Sequence, residues 1–201
     1  MDASSGHIEQ LTNLAKAKAF LGREFLTWLW YTAETTRERL VLSPPGGNKD
    51  LEVNLWVDDR LVLEGTASMT HSNVMKGGDP SHSREAAASL ATGKTVREMK
   101  LGLSVKGGGE FSAILSCDDL NPRGLKLPVP DRADGDSERS AAVMPLGERL
   151  RATESFLMAL DGLFLLFLDQ RVDSTWDTTA LVAMREWIKK RQGDKESDTL
   201  H

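Results

Sequence analysis

The 201-residue chain contains one cysteine and one tyrosine. Cys117 alone makes neither an internal disulfide nor a cysteine-rich zinc site, which points to a reducing compartment. Long apolar runs are missing as well. The longest, Leu163 to Leu168, has six residues between Asp161 and Asp169, far below the ~20 that cross a bilayer. The first eleven residues include Asp2 and Glu9 and lack the basic start and apolar centre of a secretory signal. A cytoplasmic protein without a membrane partner is therefore expected. Positive charge is in short supply too: 25 Lys and Arg stand against 30 Asp and Glu, a net charge of -5. On the total alone, that argues against a nucleic-acid partner.

The usual signatures of cofactor and metal chemistry are also missing. Gly107-Gly108-Gly109 lacks the Gly-Lys-Ser/Thr ending of a phosphate loop, and Gly93-Lys94-Thr95 has Ala88 where such a loop needs its earlier glycine. His71 and His82 flank a Gly-Gly-Asp-Pro turn with no third ligand at a recognisable spacing. Cys117 stands beside Asp118 and Asp119 with no neighbouring cation in sequence to activate it. No cofactor, metal site or catalytic residue is expected. One enzymatic alternative stays open: Glu110, Asp118 and Asp119, at the ends of a predicted strand, are carboxylates of the kind a magnesium-dependent nuclease gathers over a phosphate.

What the chain does contain, 40% hydrophobic and 27% charged residues, suits one globular domain with a small appendage. Ile8, Leu11, Leu14 and Ala15 recur at helical steps over residues 8–20. Leu21, Phe25, Trp28 and Leu29 do so in the next segment, where Leu26, Trp30 and Tyr31 add a second apolar face and imply burial. Breakers at Ser43-Pro44-Pro45-Gly46-Gly47 change the period. Leu51, Val53, Leu55 and Val57 then alternate, and Asp58-Asp59 before Leu61-Val62-Leu63 reads as the turn of a β-hairpin. Residues 67–75 form a candidate third strand, and Ser83 to Leu90 a short helix stopped near Gly93.

Thr95 to Val105 and Phe111 to Cys117 make a second hairpin about the three glycines. Asn121-Pro122-Arg123-Gly124 turns into a short extended segment, Leu125 to Val129. Residues 131–140 hold four acids, two bases and no large apolar residue, the composition of a mobile linker. Beyond it, Leu146, Leu150, Thr153, Leu157, Leu160, Phe164 and Phe167 follow a helical three-four alternation. Ser174 and Asp177 resemble a capping box for a final helix ending at Lys189-Lys190-Arg191 and stopped by Gly193.

The reading is α+β: an antiparallel sheet of hairpins flanked by N-terminal and C-terminal helices. Residues 1–130 are the α+β domain, 131–144 an acidic linker, 145–192 a helical segment and 193–201 a disordered tail.

Charge by segment changes what the total implies. From Arg84 to Lys126 seven bases face five acids. Phosphates are neutralised by the charge on one face, so a sheet that gathers Lys94, Arg97, Lys100 and Lys106 on one side still offers a DNA contact. A mixed, solvated surface is the bland alternative.

Three stretches resemble the family of the recombination-associated protein RdgC over about residues 20–170. They are Leu21-Gly22-Arg23-Glu24-Phe25-Leu26-Thr27-Trp28-Leu29-Trp30, then Ala91-Thr92-Gly93-Lys94-Thr95-Val96-Arg97-Glu98-Met99-Lys100-Leu101-Gly102-Leu103 with the strand to Cys117, and Glu154 to Leu163. The family's longer N-terminal region has no matching stretch, and Thr66 to His71 lacks the lysines found near that point in better-known members. The resemblance implies a nucleoid-associated, ring-forming homodimer around double-stranded DNA that binds without sequence preference and restrains RecA-type strand exchange. It places Lys94 at the family's Gly-Lys position. Arg97 and Lys100 share its strand, and the 146–168 stripe is core or dimer surface. A protein-interaction module of the same fold without DNA affinity is the remaining alternative.

Overall fold

The computed structural model describes residues 21–44, 49–65, 72–77, 83–128 and 144–193. Helix α1 occupies residues 21–35. It is followed by β1 (Leu40–Leu42), β2 (Leu51–Glu64), β3 (Ser72–Lys76), α2 (Arg84–Ala91), β4 (Thr95–Val105), β5 (Gly109–Ser116), β6 (Arg123–Lys126), α3 (Leu146–Val172) and α4 (Ala180–Gly193). The six strands form one antiparallel sheet in the order β1-β2-β4-β5-β6, with β3 beside β2. The expected fold class, an α+β sheet with helices before and after it, is the one observed.

Strand β2 is the axis of the sheet. One edge pairs with β4 along most of its 14 residues, while the other pairs with β1 through Leu51–Val53 and with β3 through Arg60–Glu64. Alternation puts Val53, Leu55, Met99, Leu101, Leu103, Phe111, Ala113 and Leu115 in the core. Helices α1 and α3 cover that face. Phe25 meets Phe164 edge-on at 5.0 Å, and Phe111 meets Phe156 at 5.9 Å. Trp28 Nε1 donates to Gln170 Oε1 at 3.0 Å, and Arg171 pairs with Glu24 at 2.7 Å, so the two helices are also tied at their polar edge. Helix α4 closes the end of α1, with Trp187 edge-on to Trp30 at 5.3 Å and to Tyr31 at 5.6 Å.

The hairpin expected at residues 51–63 does not form. Asp58 and Asp59 lie within one continuous strand, whose pairing with β4 shifts register between Val57 and Leu61. A bulge takes the place of the turn, and Lys100 on β4 neutralises both acids at 2.9 Å, so the chain runs on instead of reversing. The capping box at Ser174 and Asp177 is not used either. Asp173 accepts from the backbone and hydroxyl of Thr175, each at 2.7 Å, and turns through residues 174–179 delay α4 to Ala180. Strand β6 opens at Arg123, inside the expected turn, because the chain has already reversed through the turn at residues 117–119. Strand β1 has no counterpart among the expected elements. Of the candidate third strand, residues 72–75 are in β3. The helix at 8–20, the linker at 131–140 and the tail beyond Gly193 lie outside the described residues.

Candidate nucleic-acid interface

Lys94 is placed by the exit from α2. Ser83 caps the start of that helix by accepting from the Ala86 amide at 3.1 Å, and Gly93, at φ 83°, turns the chain left-handed into β4. Only glycine takes that conformation without strain. Lys94 Nζ then donates to Asn73 Oδ1 on β3 at 3.0 Å.

Arg97 is the extra residue of a second bulge: Val62 pairs with Glu98 and Leu63 with Val96, which leaves Arg97 unopposed on β2. Bulges re-aim side chains, and Arg97 Nη1 meets Glu64 Oε1 at 2.8 Å. The other oxygen of Glu64 meets Arg23 Nη2 of α1 at 3.2 Å, so one carboxylate serves two guanidinium groups.

Arg23 and Lys94 also line a cavity of about 450 Å³, with Arg185 of α4 on its wall. Glu24, on the same wall, is held by Arg171. The residues linked by these contacts are five cations, Arg23, Lys94, Arg97, Arg171 and Arg185, and two carboxylates, Glu24 and Glu64. Among these linked residues, where β2 finishes and β4 begins, cations outnumber carboxylates in a chain that is acidic overall; Glu98, paired with Arg60, and Asp118, beside Cys117, lie close by.

Lys100 and Lys106 do not join it. Lys100 is engaged by Asp58 and Asp59, and only 12% of its side chain is exposed. The hydrogen bonds that Lys100 donates to both carboxylates push its pKa above the ordinary lysine value, against the effect of burial. Burial acts to raise the Asp58 pKa, but the Lys100 hydrogen bond and charge, the Asp59 amide and the charge of Lys126 together bring it below the usual carboxylate value. Lys106 stands beyond the far end of β4, paired with Glu52 at 2.6 Å. Twelve residues of extended chain put it roughly 40 Å from Lys94.

The acidic alternative is pulled apart by the same strand geometry. Glu110 and Asp118 flank opposite ends of β5, about 25 Å from one another. Among the described residues no three His, Cys, Asp or Glu side chains are grouped to hold a metal. His71 and His82 lie outside the described residues. Cys117 is buried, and burial followed by the charge of Asp118 raises its thiol pKa despite nearby Arg23. Among the described residues no helix is long and apolar enough to cross a membrane.

Comparison with protein-family models, curated proteins and solved structures found no match. The chemistry of the site is therefore read from its own residues. Two of them, Arg23 and Arg185, do not stand out in the sequence as candidate contacts. Arg23 does carry a signal: a lone arginine between Leu21-Gly22 and Phe25-Leu26 in a helix that is otherwise mostly buried needs an acidic or anionic partner.

Proposed function

We propose that the protein is a non-catalytic, RdgC-like protein that binds double-stranded DNA without sequence preference, as a nucleoid-associated homodimer, and restrains RecA-type strand exchange. The observation that carries the reading is the cation excess around Lys94 and Arg97. Two of the four cations named from the sequence fall together, and packing adds Arg23 and Arg185 to them. In the proposed mode these side chains contact phosphates and leave the base edges unread. The ordered series of a buried α1, the Gly93-Lys94 entry to β4 and a long α3 further supports an RdgC-like protein.

The test is fluorescence anisotropy with a labelled duplex of arbitrary sequence at low salt. Wild-type protein binds; Lys94→Ala/Arg97→Ala binds at least about tenfold more weakly; Lys100→Ala/Lys106→Ala stays within about threefold, because Lys100 is mostly buried between two acids and Lys106 lies at the far end of β4. Equal loss in the two double variants would remove the site assignment. Absence of binding by the wild type at low salt would remove the function. A strand-exchange reaction driven by a RecA-type recombinase, slowed by wild-type protein and not by Lys94→Ala/Arg97→Ala, checks the regulatory part.

A further inference from the structure

The cavity that borders this basic end has a second character which DNA binding does not use. Its floor is apolar: Leu181, Met184 and Ile188 project from one stripe of α4, facing Leu90 of α2 and the buried indole of Trp176. A phosphate backbone has no use for such a floor. Cations stand around it, with Arg185 on the same helix as the apolar stripe and Arg23 and Lys94 on other elements. The one carboxylate on the wall, Glu24, is occupied by Arg171.

Two wall residues also hold a buried polar atom that has no hydrogen-bond partner among the described residues, Nε of Arg23 and Oγ1 of Thr95. Both groups donate hydrogen bonds, and buried donors are as a rule satisfied. Arg23 is also engaged by the Cys117 thiol, so it is the cations around the cavity, rather than these two buried atoms, that favour an anionic head. The volume, about 450 Å³, lies in the range of small-molecule sites and exceeds what an ion alone would fill.

We infer that this cavity binds a small amphipathic anion, an alkyl carboxylate of about ten carbons whose tail lies against Met184 and Ile188 and whose head meets the cationic wall. The ligand is held by two separable terms. Burying the tail supplies most of the affinity, and Arg23, Lys94 and Arg185 select an anion over a neutral head. The site shares Arg23, Lys94 and Arg185 with the proposed DNA contact, and it is tested without DNA, so its failure and that of the DNA reading are told apart.

The experiment uses the full chain with methionine methyl groups labelled in carbon-13, titrated with decanoate and, separately, with decan-1-ol. Met184 lines the cavity, while Met99 is buried in the sheet and serves as an internal reference. Decanoate is expected to shift the Met184 methyl resonance saturably and leave Met99 in place, with an affinity at least about tenfold above that of the alcohol. Arg185→Gln, on an exposed helical position, is expected to lower decanoate affinity about tenfold and leave the alcohol unchanged. Ile188→Trp, which fills the floor, abolishes the Met184 response to both in a protein that still melts cooperatively. The proposal is overturned if Met184 does not respond to decanoate up to about 1 mM. Equal affinity for acid and alcohol, or full decanoate affinity in Arg185→Gln, overturns it too.

Discussion

Gly22 has no room for a side chain. A Cβ built there would lie 2.0 Å from the Cys117 carbonyl oxygen, so α1 touches the end of β5 backbone to backbone. Gly22→Ala is expected to destabilise the protein by about 1–3 kcal/mol, the overpacking cost outweighing the helix propensity gained. Gly147 on α3 is the contrasting case: it is exposed, with nothing near its missing Cβ. Gly147→Ala should leave stability unchanged or raise it by up to about 1 kcal/mol. Urea unfolding of the two variants checks both signs. Lys100 gives a prediction in pH. The depressed Asp58 pKa contributes stability that is present above the ordinary carboxylate value and lost as pH falls through the folded value. The raised Lys100 pKa contributes stability that is full below the ordinary lysine value and lost as pH rises through the folded one. Lys100→Met should cost about 1–2 kcal/mol near neutrality, a figure kept low because Asp58 is one-third exposed. Near pH 2, where the carboxylates are protonated in both proteins, the cost should be much smaller. Parallel acid limbs of the two stability curves would sink this account.

At the scale of elements, α3 is two helices in one. From Phe156 onward it buries Phe156, Ala159, Leu160, Leu163 and Phe167 against the sheet and α1. Earlier, Leu146 is 71% and Leu150 61% exposed, and Leu157 continues the same exposed stripe. Leu146, Leu150, Thr153 and Leu157 keep the three-four spacing of a coiled-coil seam, flanked by Arg149 and Glu154, both exposed. This arginine and glutamate are five positions apart, the spacing at which flanking charges pair across two parallel copies of a helix. The proposed homodimer is therefore expected to use this half of α3. Leu150→Glu/Leu157→Glu should yield monomer in sedimentation velocity while the melting temperature of the fold changes little; a variant that stays dimeric would rule out this face.

Elements differ in how far the sequence betrays them. The hairpin of β4 and β5 and the caps of α2 are legible because alternation, Ser83 and Gly93 act locally. Strand β2 reads wrongly as a hairpin because Asp58-Asp59 has the composition of a turn, and what keeps it extended is Lys100, more than 40 residues away. The site divides in the same way. Lys94 and Arg97 can be named from the entry to one strand, whereas Arg23 and Arg185 join them only when α1 packs on the sheet and α4 on α2.

For the whole molecule, a net charge of -5 repels DNA at long range while one end of the sheet attracts it. Both terms are screened by salt, but the local one involves discrete phosphate contacts and releases counterions, so it sets the slope. If Lys94, Arg97 and Arg185 each neutralise one phosphate, the logarithm of the affinity should fall against the logarithm of salt with a slope of about -2.7 per protomer. Raising salt from about 0.05 to 0.2 M would then weaken the contribution of each protomer about 40-fold, and that of the proposed dimer by the square of this. Lys94→Ala/Arg97→Ala should reduce the slope by about two per protomer, and Lys100→Ala/Lys106→Ala by well under one, since Lys100 is mostly buried between Asp58 and Asp59 and Lys106 lies at the other end of β4. The slopes, unlike the affinities at one salt, separate lost phosphate contacts from a general loss of fold. An unfolded fraction lowers the apparent affinity at every salt concentration and leaves the slope of the remaining native protein where it was. A Lys94→Ala/Arg97→Ala variant with weakened binding but the wild-type slope would therefore mean that these residues support the fold and that the phosphates are met elsewhere.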